Sequence, residues 1–209
     1  MATQFDAGER AGGTGVADAS SLSIAVREFL RSPQLVGSAF PASRYLVDKL
    51  LAPVDWSKVK VAVEYGPGSG PLTRAMLARM PLDSRLVAID VSPHFTQHLR
   101  RTIDDPRLLA VTASASSVAE ILASHGLRSA DLIVTGIPFS TMSPQMGHQI
   151  VDASAKVLAP RGQLLAYQMR TAVAALLERR FGKVRKSFVW RNIPPCHLYW
   201  ASQPQQPEQ

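Results

Sequence analysis

The segment Glu64-Tyr65-Gly66-Pro67-Gly68-Ser69-Gly70 stands between an aliphatic run that predicts a strand and a pattern that predicts a helix. Glycines at such a turn allow positive φ angles and a close approach of the backbone to a ligand, and a helix start offers free N–H groups. The third glycine comes one residue too early for the dinucleotide spacing G-x-G-x-x-G, because position 71 is Pro71. Glu64 would also repel a pyrophosphate, whereas it would attract a positively charged amino group. The segment therefore predicts a binding loop for a cationic amino-acid ligand.

Short aliphatic runs alternate with helical patterns on both sides of this loop. Strands are predicted at 59–64, 85–90, 108–112, 131–135 and 162–168, and helices at 71–80, 93–103, 116–125, 144–158 and 171–181. Repeats of this kind imply parallel strands joined by right-handed crossovers, and so a doubly wound α/β sheet. Two further runs, 183–190 and 195–201, are joined by a link too short for a crossover. They predict an antiparallel hairpin at one edge, which makes seven strands.

Composition is typical of one globular domain. The chain has 209 residues, of which 46% are hydrophobic and 19% charged, and its formal net charge is +7. An excess of positive charge favours contact with phosphate, in a nucleic acid or a lipid headgroup. The single cysteine, Cys196, excludes an internal disulfide framework and a cysteine zinc cluster, and no metal site is expected. Without a long apolar run or a signal-peptide pattern, we expect a cytoplasmic protein that lies on a membrane at most.

Four segments are predicted along the chain. Residues 1–20 are small and polar and predict a disordered tail, and the Gln- and Pro-rich residues 203–209 predict another. Residues 21–53 carry two helical patterns: an amphipathic, basic-edged one that ends before Pro33, and a second that begins near Ser43, a suitable N-cap. Residues 54–202 form the predicted α/β domain.

An acid ends the second predicted strand, twenty residues beyond Gly70. Asp90 is placed where a carboxylate can accept both hydroxyls of an adenosine ribose. The glycine loop and this acid together resemble motifs I and II of class I S-adenosylmethionine-dependent methyltransferases, whose seven-stranded sheet also ends in an antiparallel hairpin. The resemblance implies S-adenosylmethionine as cofactor. It also implies cofactor contacts by Phe40, Ser43, Glu64, Tyr65, Gly66, Gly68, Gly70, Asp90, Val91, Ser92, Ser114 and Ala115. Ser114 stands where these enzymes commonly carry an acid for the adenine amino group.

The fourth strand runs into Thr135-Gly136-Ile137-Pro138-Phe139. This segment resembles the Asn-Pro-Pro-Tyr or Asn-Pro-Pro-Phe motif of methyltransferases that act on the amine of adenine. In that motif the Asn accepts a hydrogen bond from the flat amine. Gly136 replaces that Asn and cannot polarise a conjugated nitrogen. An alkyl amine does not need such help, because its lone pair is already localised once the proton has left. The segment therefore favours an aliphatic amine acceptor.

A narrower resemblance covers residues 21–202. The basic amphipathic helix, the segment 36–41, the Gly-Ile-Pro-Phe segment and Asn192-Ile193-Pro194-Pro195 resemble bacterial phospholipid N-methyltransferases. That family converts phosphatidylethanolamine through its mono- and dimethyl derivatives to phosphatidylcholine. The resemblance implies a monomer at the anionic inner membrane surface, without a nucleic acid partner. It places Tyr45, Gly136, Pro138, Phe139 and His197 around the acceptor, with Tyr45 offering its hydroxyl or a cation–π contact.

Three alternatives remain open from the sequence. An adenine dimethyltransferase acting on ribosomal RNA would suit the basic stretch 170–191, which has seven basic residues and one acidic residue, although Gly136 opposes it. The same stretch is equally typical of a solvated edge strand. An N-methyltransferase of another aminolipid, such as an ornithine lipid, or of a small amine is the second alternative. A non-catalytic nucleotide-binding module is the third.

Overall fold

The computed structural model describes residues 42–205, which form a seven-stranded sheet with helices on both faces. The strands are β1 (Val61–Tyr65), β2 (Arg85–Asp90), β3 (Leu108–Thr112), β4 (Ala130–Thr135), β5 (Leu158–Gln168), β6 (Phe181–Val189) and β7 (Cys196–Pro204). The helices are α1 (Arg44–Leu51), α2 (Pro71–Leu77), α3 (Pro93–Thr102), α4 (Val118–Ser124), α5 (Pro144–Val157) and α6 (Ala172–Arg180).

The strand order is β3-β2-β1-β4-β5-β7-β6. Strands β1 to β5 are parallel, whereas β7 runs antiparallel between β5 and β6. The order reverses at β1, and in open α/β sheets a ligand binds outside the carboxyl ends of the strands at such a reversal. The doubly wound sheet with a terminal antiparallel hairpin is thus confirmed.

The ends of the chain differ in part from the prediction. Strand β7 continues to Pro204, which pairs with Phe181, so residues 203 and 204 belong to the sheet and not to a tail. The reason is that β6 begins directly after α6 and offers a partner for these residues. The first predicted amphipathic helix, the tail 1–20 and Phe40 lie outside the described residues.

Alternate residues of the strands enter two separate apolar cores, because successive side chains of a strand point to opposite faces. Ala62 packs on the face covered by α1, α2 and α3, which we call the front face. Val63 and Tyr65 pack on the face covered by α4, α5 and α6, the back face. Glu64 therefore belongs to the front face, as does Asp90, which follows the front-face residue Ala88 at the same spacing.

Helix α1 is attached to the link between β6 and β7. Ser43 caps the helix by accepting a hydrogen bond from the Leu46 N–H at 3.2 Å, which confirms the predicted N-cap. The Ser43 N–H donates to Asn192 Oδ1 at 2.9 Å, and its hydroxyl donates to the Arg191 carbonyl at 3.0 Å. At the other end of the helix, the buried Trp200 indole donates to the Leu50 carbonyl at 2.8 Å. Strand β7 therefore positions α1.

We expect Trp200→Phe to lower the free energy of unfolding by about 1–3 kcal/mol, because it leaves the Leu50 carbonyl without its indole donor and removes part of a buried ring. Urea unfolding followed by circular dichroism measures this change. The matched control is Trp190→Phe, since Trp190 is 78% exposed and should change the same quantity by less than about 0.5 kcal/mol. Equal effects of the two substitutions would contradict the role of the Trp200 hydrogen bond.

Candidate cofactor and acceptor site

The glycine loop follows a path that requires glycine at its two ends. Gly66 and Gly70 have φ angles of +69° and +87°. A Cβ atom on Gly66 would lie 2.7 Å from Ile137 Cγ2, and one on Gly70 would lie 2.6 Å from Leu99 Cδ2. Gly68, between them, is also at positive φ. The loop backbone therefore lies against the 135–139 segment on one side and against α3 on the other.

Glu64 is buried beneath this loop at the end of β1, with 1% of its surface exposed. Thr73 of α2 donates a hydrogen bond to its Oε2 at 2.6 Å. Burial raises the pKa of Glu64 from 4.5 to about 7; the Thr73 hydrogen bond lowers this pKa, and the negative charge of Asp90 raises it. A buried acid with one neutral partner and a like charge nearby is well suited to bind a cation.

Asp90 joins the end of β2 to the glycine loop. Its carboxylate accepts a hydrogen bond from the backbone N–H of Ser92 at 2.8 Å. Burial raises the pKa of Asp90, whereas the backbone N–H groups of Ser92 and Gly68 lower it. Val91 follows with an exposed side chain, and Ser92 is the N-cap of α3. Asp90 thus places a carboxylate beside the glycine loop at the reversal of strand order.

Ser114 and Ala115, which follow β3, form part of a short helical turn and of the core. The Ser114 hydroxyl forms a 2.7 Å hydrogen bond with the Ser116 hydroxyl and accepts a 3.3 Å bond from the Ser116 N–H. It therefore caps the short helical turn Ala115–Ser117. Ala115 is buried in the back-face core. A contact of either residue with the adenine stays a prediction.

Gln168, at the end of β5, fixes the 135–139 segment. Its side-chain N–H donates to the Ile137 carbonyl at 2.7 Å, and its side-chain carbonyl accepts from the Phe139 N–H at 3.3 Å. The Gly136 N–H donates to the Tyr65 carbonyl at 3.2 Å. Pro138 precedes the helical turn Phe139–Thr141. The segment is thus held between β1 and β5, beside the glycine loop.

Three side chains proposed from the sequence have other partners. Phe139 is 5% exposed and packs in the back-face core beside Gly147, and its place at the acceptor stays a prediction. The Tyr65 hydroxyl shares a 3.0 Å hydrogen bond with Ser154 in the same core, which leaves only the Tyr65 main chain near the loop. The Ser43 hydroxyl caps α1 and donates to the Arg191 carbonyl, and its contact with the cofactor stays a prediction.

Tyr45 and His197 lie at the edges of this region. Tyr45 is 59% exposed, and the Arg191 guanidinium lies 5.1 Å from the centre of its ring. His197 pairs with Gln168 across the strands and packs its ring edge to face on Phe188, 4.8 Å away. Their roles at the acceptor stay predictions.

Sequence reasoning missed Gln168 and its neighbour Tyr167. Both stand at the carboxyl end of a predicted strand, where site residues of a parallel sheet collect. Two polar groups closing the apolar run 164–166 were the signal that would have found them.

The sequence comparison agrees with this geometry. Residues 62–162, which contain the glycine loop, Asp90 and the 135–139 segment, match a family model described as a methyltransferase domain. These residues therefore form a methyltransferase domain, as the resemblance to class I S-adenosylmethionine-dependent methyltransferases implies. S-adenosylmethionine is the cofactor that the sequence predicts for such a domain.

Three relatives are similar to this methyltransferase. An ornithine lipid N-methyltransferase of Singulisphaera acidiphila is 26% identical over 83% of this chain and 92% of that protein. The ribosomal RNA small subunit methyltransferase H of Aromatoleum aromaticum is 34% identical over 58% of this chain and 41% of that protein. The solved structure of the N-methyltransferase NodS from Bradyrhizobium japonicum WM9 with S-adenosyl-L-homocysteine has a TM-score of 0.64 at 19% identity and covers 88% of this chain and 98% of that one. The last likeness supports the fold.

We expect stability to report the burial of Glu64. A group whose pKa is about 7 in the folded protein and 4.5 in the unfolded chain binds more protons when folded, so its contribution to stability is lost as pH rises from 4.5 to 7. Glu64→Gln should remove this loss, and its stability relative to the parent should increase across that range by on the order of 2–3 kcal/mol. Urea unfolding at a series of pH values measures it.

The matched control is Glu120→Gln, which makes the same change at an exposed position of α4 and should change the free energy of unfolding by less than about 0.5 kcal/mol. Calorimetry should show that Glu64→Gln also weakens S-adenosylmethionine binding about tenfold or more, since it removes a charge-assisted contact. A variant with the parent's pH profile would refute the buried titration of Glu64. Unchanged cofactor affinity would refute its contact with the cofactor.

Proposed function

We propose that this methyltransferase transfers methyl groups to the amine of a membrane aminolipid, and that the lipid is phosphatidylethanolamine and its mono- and dimethyl derivatives. The observation that carries the aminolipid class is the match to an ornithine lipid N-methyltransferase along 92% of that relative. Phosphatidylethanolamine follows from the resemblance of the Gly-Ile-Pro-Phe and Asn-Ile-Pro-Pro segments to phospholipid N-methyltransferases.

The cofactor has a consistent place in this proposal. S-adenosylmethionine supplies an electrophilic methyl group when it is bound. Glu64 would hold its amino group, because a buried acid gains most from a cation. Asp90 would accept the ribose hydroxyls, and the backbone of the glycine loop, with Val91 and Ser92, would border the remainder. Each of these groups lies at or next to the reversal of strand order, as the fit to this cofactor requires.

The acceptor chemistry requires positioning more than base strength. Position 136 has no side chain that could accept a hydrogen bond from a conjugated amine and help to localise its lone pair on nitrogen, which favours an alkyl amine over adenine. The neutral amine then needs to be held in line with the methyl group and screened from water. Gln168 serves this need indirectly, since it fixes the main chain of 137–139 beside the glycine loop.

A surface for the membrane is proposed at the junction of α1 with the β6–β7 link. Tyr45, Trp190 and Ile193 are exposed there, and the basic side chains of Arg44 and Arg191 are exposed beside them. Exposed aromatic and aliphatic side chains with flanking arginines suit an anionic lipid interface. No helix within residues 42–205 is long and apolar enough to span a bilayer. We therefore propose peripheral binding at the cytoplasmic side of the inner membrane.

The acceptor class is tested with methyl-labelled S-adenosylmethionine in four separate incubations: anionic vesicles with phosphatidylethanolamine, the same vesicles with an ornithine lipid, total RNA, and free ethanolamine. We expect label in phosphatidylethanolamine, with mono-, di- and trimethyl products separated by chromatography. Asp90→Ala should lower the incorporation about tenfold or more, because a charge-assisted cofactor contact is lost.

Preferential labelling of the ornithine lipid would retain the aminolipid class and correct the headgroup. Label in RNA alone would contradict the proposal, and label in free ethanolamine alone would contradict a membrane substrate.

The membrane surface is tested by flotation with anionic vesicles. Trp190→Ser combined with Ile193→Ser should lower the partition coefficient about tenfold or more, because each change removes an apolar group that would enter the interface. The matched control is Leu82→Ser, since Leu82 is 89% exposed on the loop before β2 and should leave flotation unchanged. Equal flotation of the parent and the double variant would show that this junction does not contact the bilayer.

A further inference from the structure

Gly136 and Tyr167 compete for one space at the carboxyl ends of β4 and β5. The two strands pair with Thr135 opposite Ala166, which places the next residues, Gly136 and Tyr167, side by side. A Cβ atom on Gly136 would overlap the Tyr167 hydroxyl and lie 2.8 Å from its ring atom Cε1. The phenol of Tyr167 therefore occupies the place that a side chain at position 136 would take.

The Tyr167 ring packs against the front-face core, on the same face of the sheet as Glu64. Burial raises the pKa of Tyr167, and the negative charge of Glu64 raises it further. The hydroxyl thus keeps its proton at neutral pH and does not act as a base. No residue within 42–205 forms a hydrogen bond with this hydroxyl. Its oxygen remains able to accept one.

We propose that Tyr167 is an acceptor-binding residue, whose hydroxyl oxygen accepts a hydrogen bond from an N–H of the substrate amine and aims the nitrogen lone pair at the methyl group. This inference rests on the proposed function. The hydroxyl lies beside Gly136 of the 135–139 segment. The next residue of that segment, Ile137, lies against Gly66 of the glycine loop, so the hydroxyl is placed where the segment and the loop meet. Tyr167 then supplies, from β5, a contact that β4 cannot supply.

The hydrogen bond imposes a rule on successive methylations. In each transfer the nitrogen lone pair forms the N–C bond, the S–C bond breaks with its electron pair left on sulfur, and the ammonium product of the first two steps later loses a proton to water. A neutral primary or secondary amine has an N–H to donate to Tyr167 while its lone pair attacks. A neutral tertiary amine has none. Tyr167 should therefore assist the first and second methylations and leave the third unassisted.

The test compares the parent protein with Tyr167→Phe on anionic vesicles that contain phosphatidylethanolamine, its monomethyl form or its dimethyl form. Loss of one hydrogen bond should lower kcat/KM roughly five- to tenfold for the first two lipids and less than about twofold for the dimethyl lipid. Calorimetry should give an unchanged Kd for S-adenosylmethionine. The matched control is Tyr199→Phe, which removes a tyrosine hydroxyl from the back-face core and should change none of these values.

A second measurement tests the geometry without any acceptor. Gly136→Ala should lower the free energy of unfolding in the parent and have a smaller effect when combined with Tyr167→Ala, because the ring that it would strike is absent. Equal effects in both backgrounds would overturn the shared space. Equal loss for all three lipids in Tyr167→Phe, or no loss for any, would overturn the hydrogen bond while the proposed function stands. If the parent methylates none of the three lipids, the proposed function fails, and with it a role for Tyr167 in holding a lipid amine.

Discussion

Three backbone hydrogen bonds at the carboxyl edge of the sheet hold the parts of the site in place. The N–H of Gly66 donates to the Ile89 carbonyl, that of Ala113 to Asp90, and that of Gly136 to Tyr65. Each joins the loop after one strand to the last residues of its neighbour, so that three loops share one frame. This frame depends on the register of the strands, since a slip of one residue would turn Glu64 and Asp90 to the back face.

The frame brings two acids together at an energetic cost. Burial raises the pKa of both Glu64 and Asp90, and the charge of Asp90 adds to the effect on Glu64. Thr73 and the backbone N–H groups around Asp90 offset part of this cost, and a bound cation at Glu64 would offset more. The two buried acids therefore destabilise the folded sheet at the place where the ligand is expected to bind. Such a cost is common at binding sites, because the same charges serve recognition.

The sheet topology and the positions of the two acids could be predicted from the sequence, since both follow from the order and spacing of residues along the chain. Alternating strands and helices predict parallel order, the short link after β6 predicts the hairpin, and strand ends locate Glu64 and Asp90 at the carboxyl edge. The directions of the residues that follow a strand were not predictable in this way. Phe139 turns into the core under α5, and Tyr65 finds a partner in Ser154 far along the chain. These directions depend on cavities that only the folded chain contains.

Position 136 shows that the role of a motif residue depends on the residue beside it on the adjacent strand. Taken alone, glycine in place of Asn removes a hydrogen-bond acceptor for a conjugated amine, and the sequence interpretation was therefore an aliphatic amine acceptor. In the fold the Tyr167 phenol of β5 fills the space beside Gly136. The absence of a side chain after β4 therefore leaves room for one from β5. An Asn amide presents its carbonyl in the plane suited to a flat aromatic amine, whereas a phenol oxygen accepts from a wider range of directions. On the proposed function, a pyramidal alkyl amine is matched by the second arrangement, and selectivity for the acceptor lies in which of two adjacent strands carries the side chain.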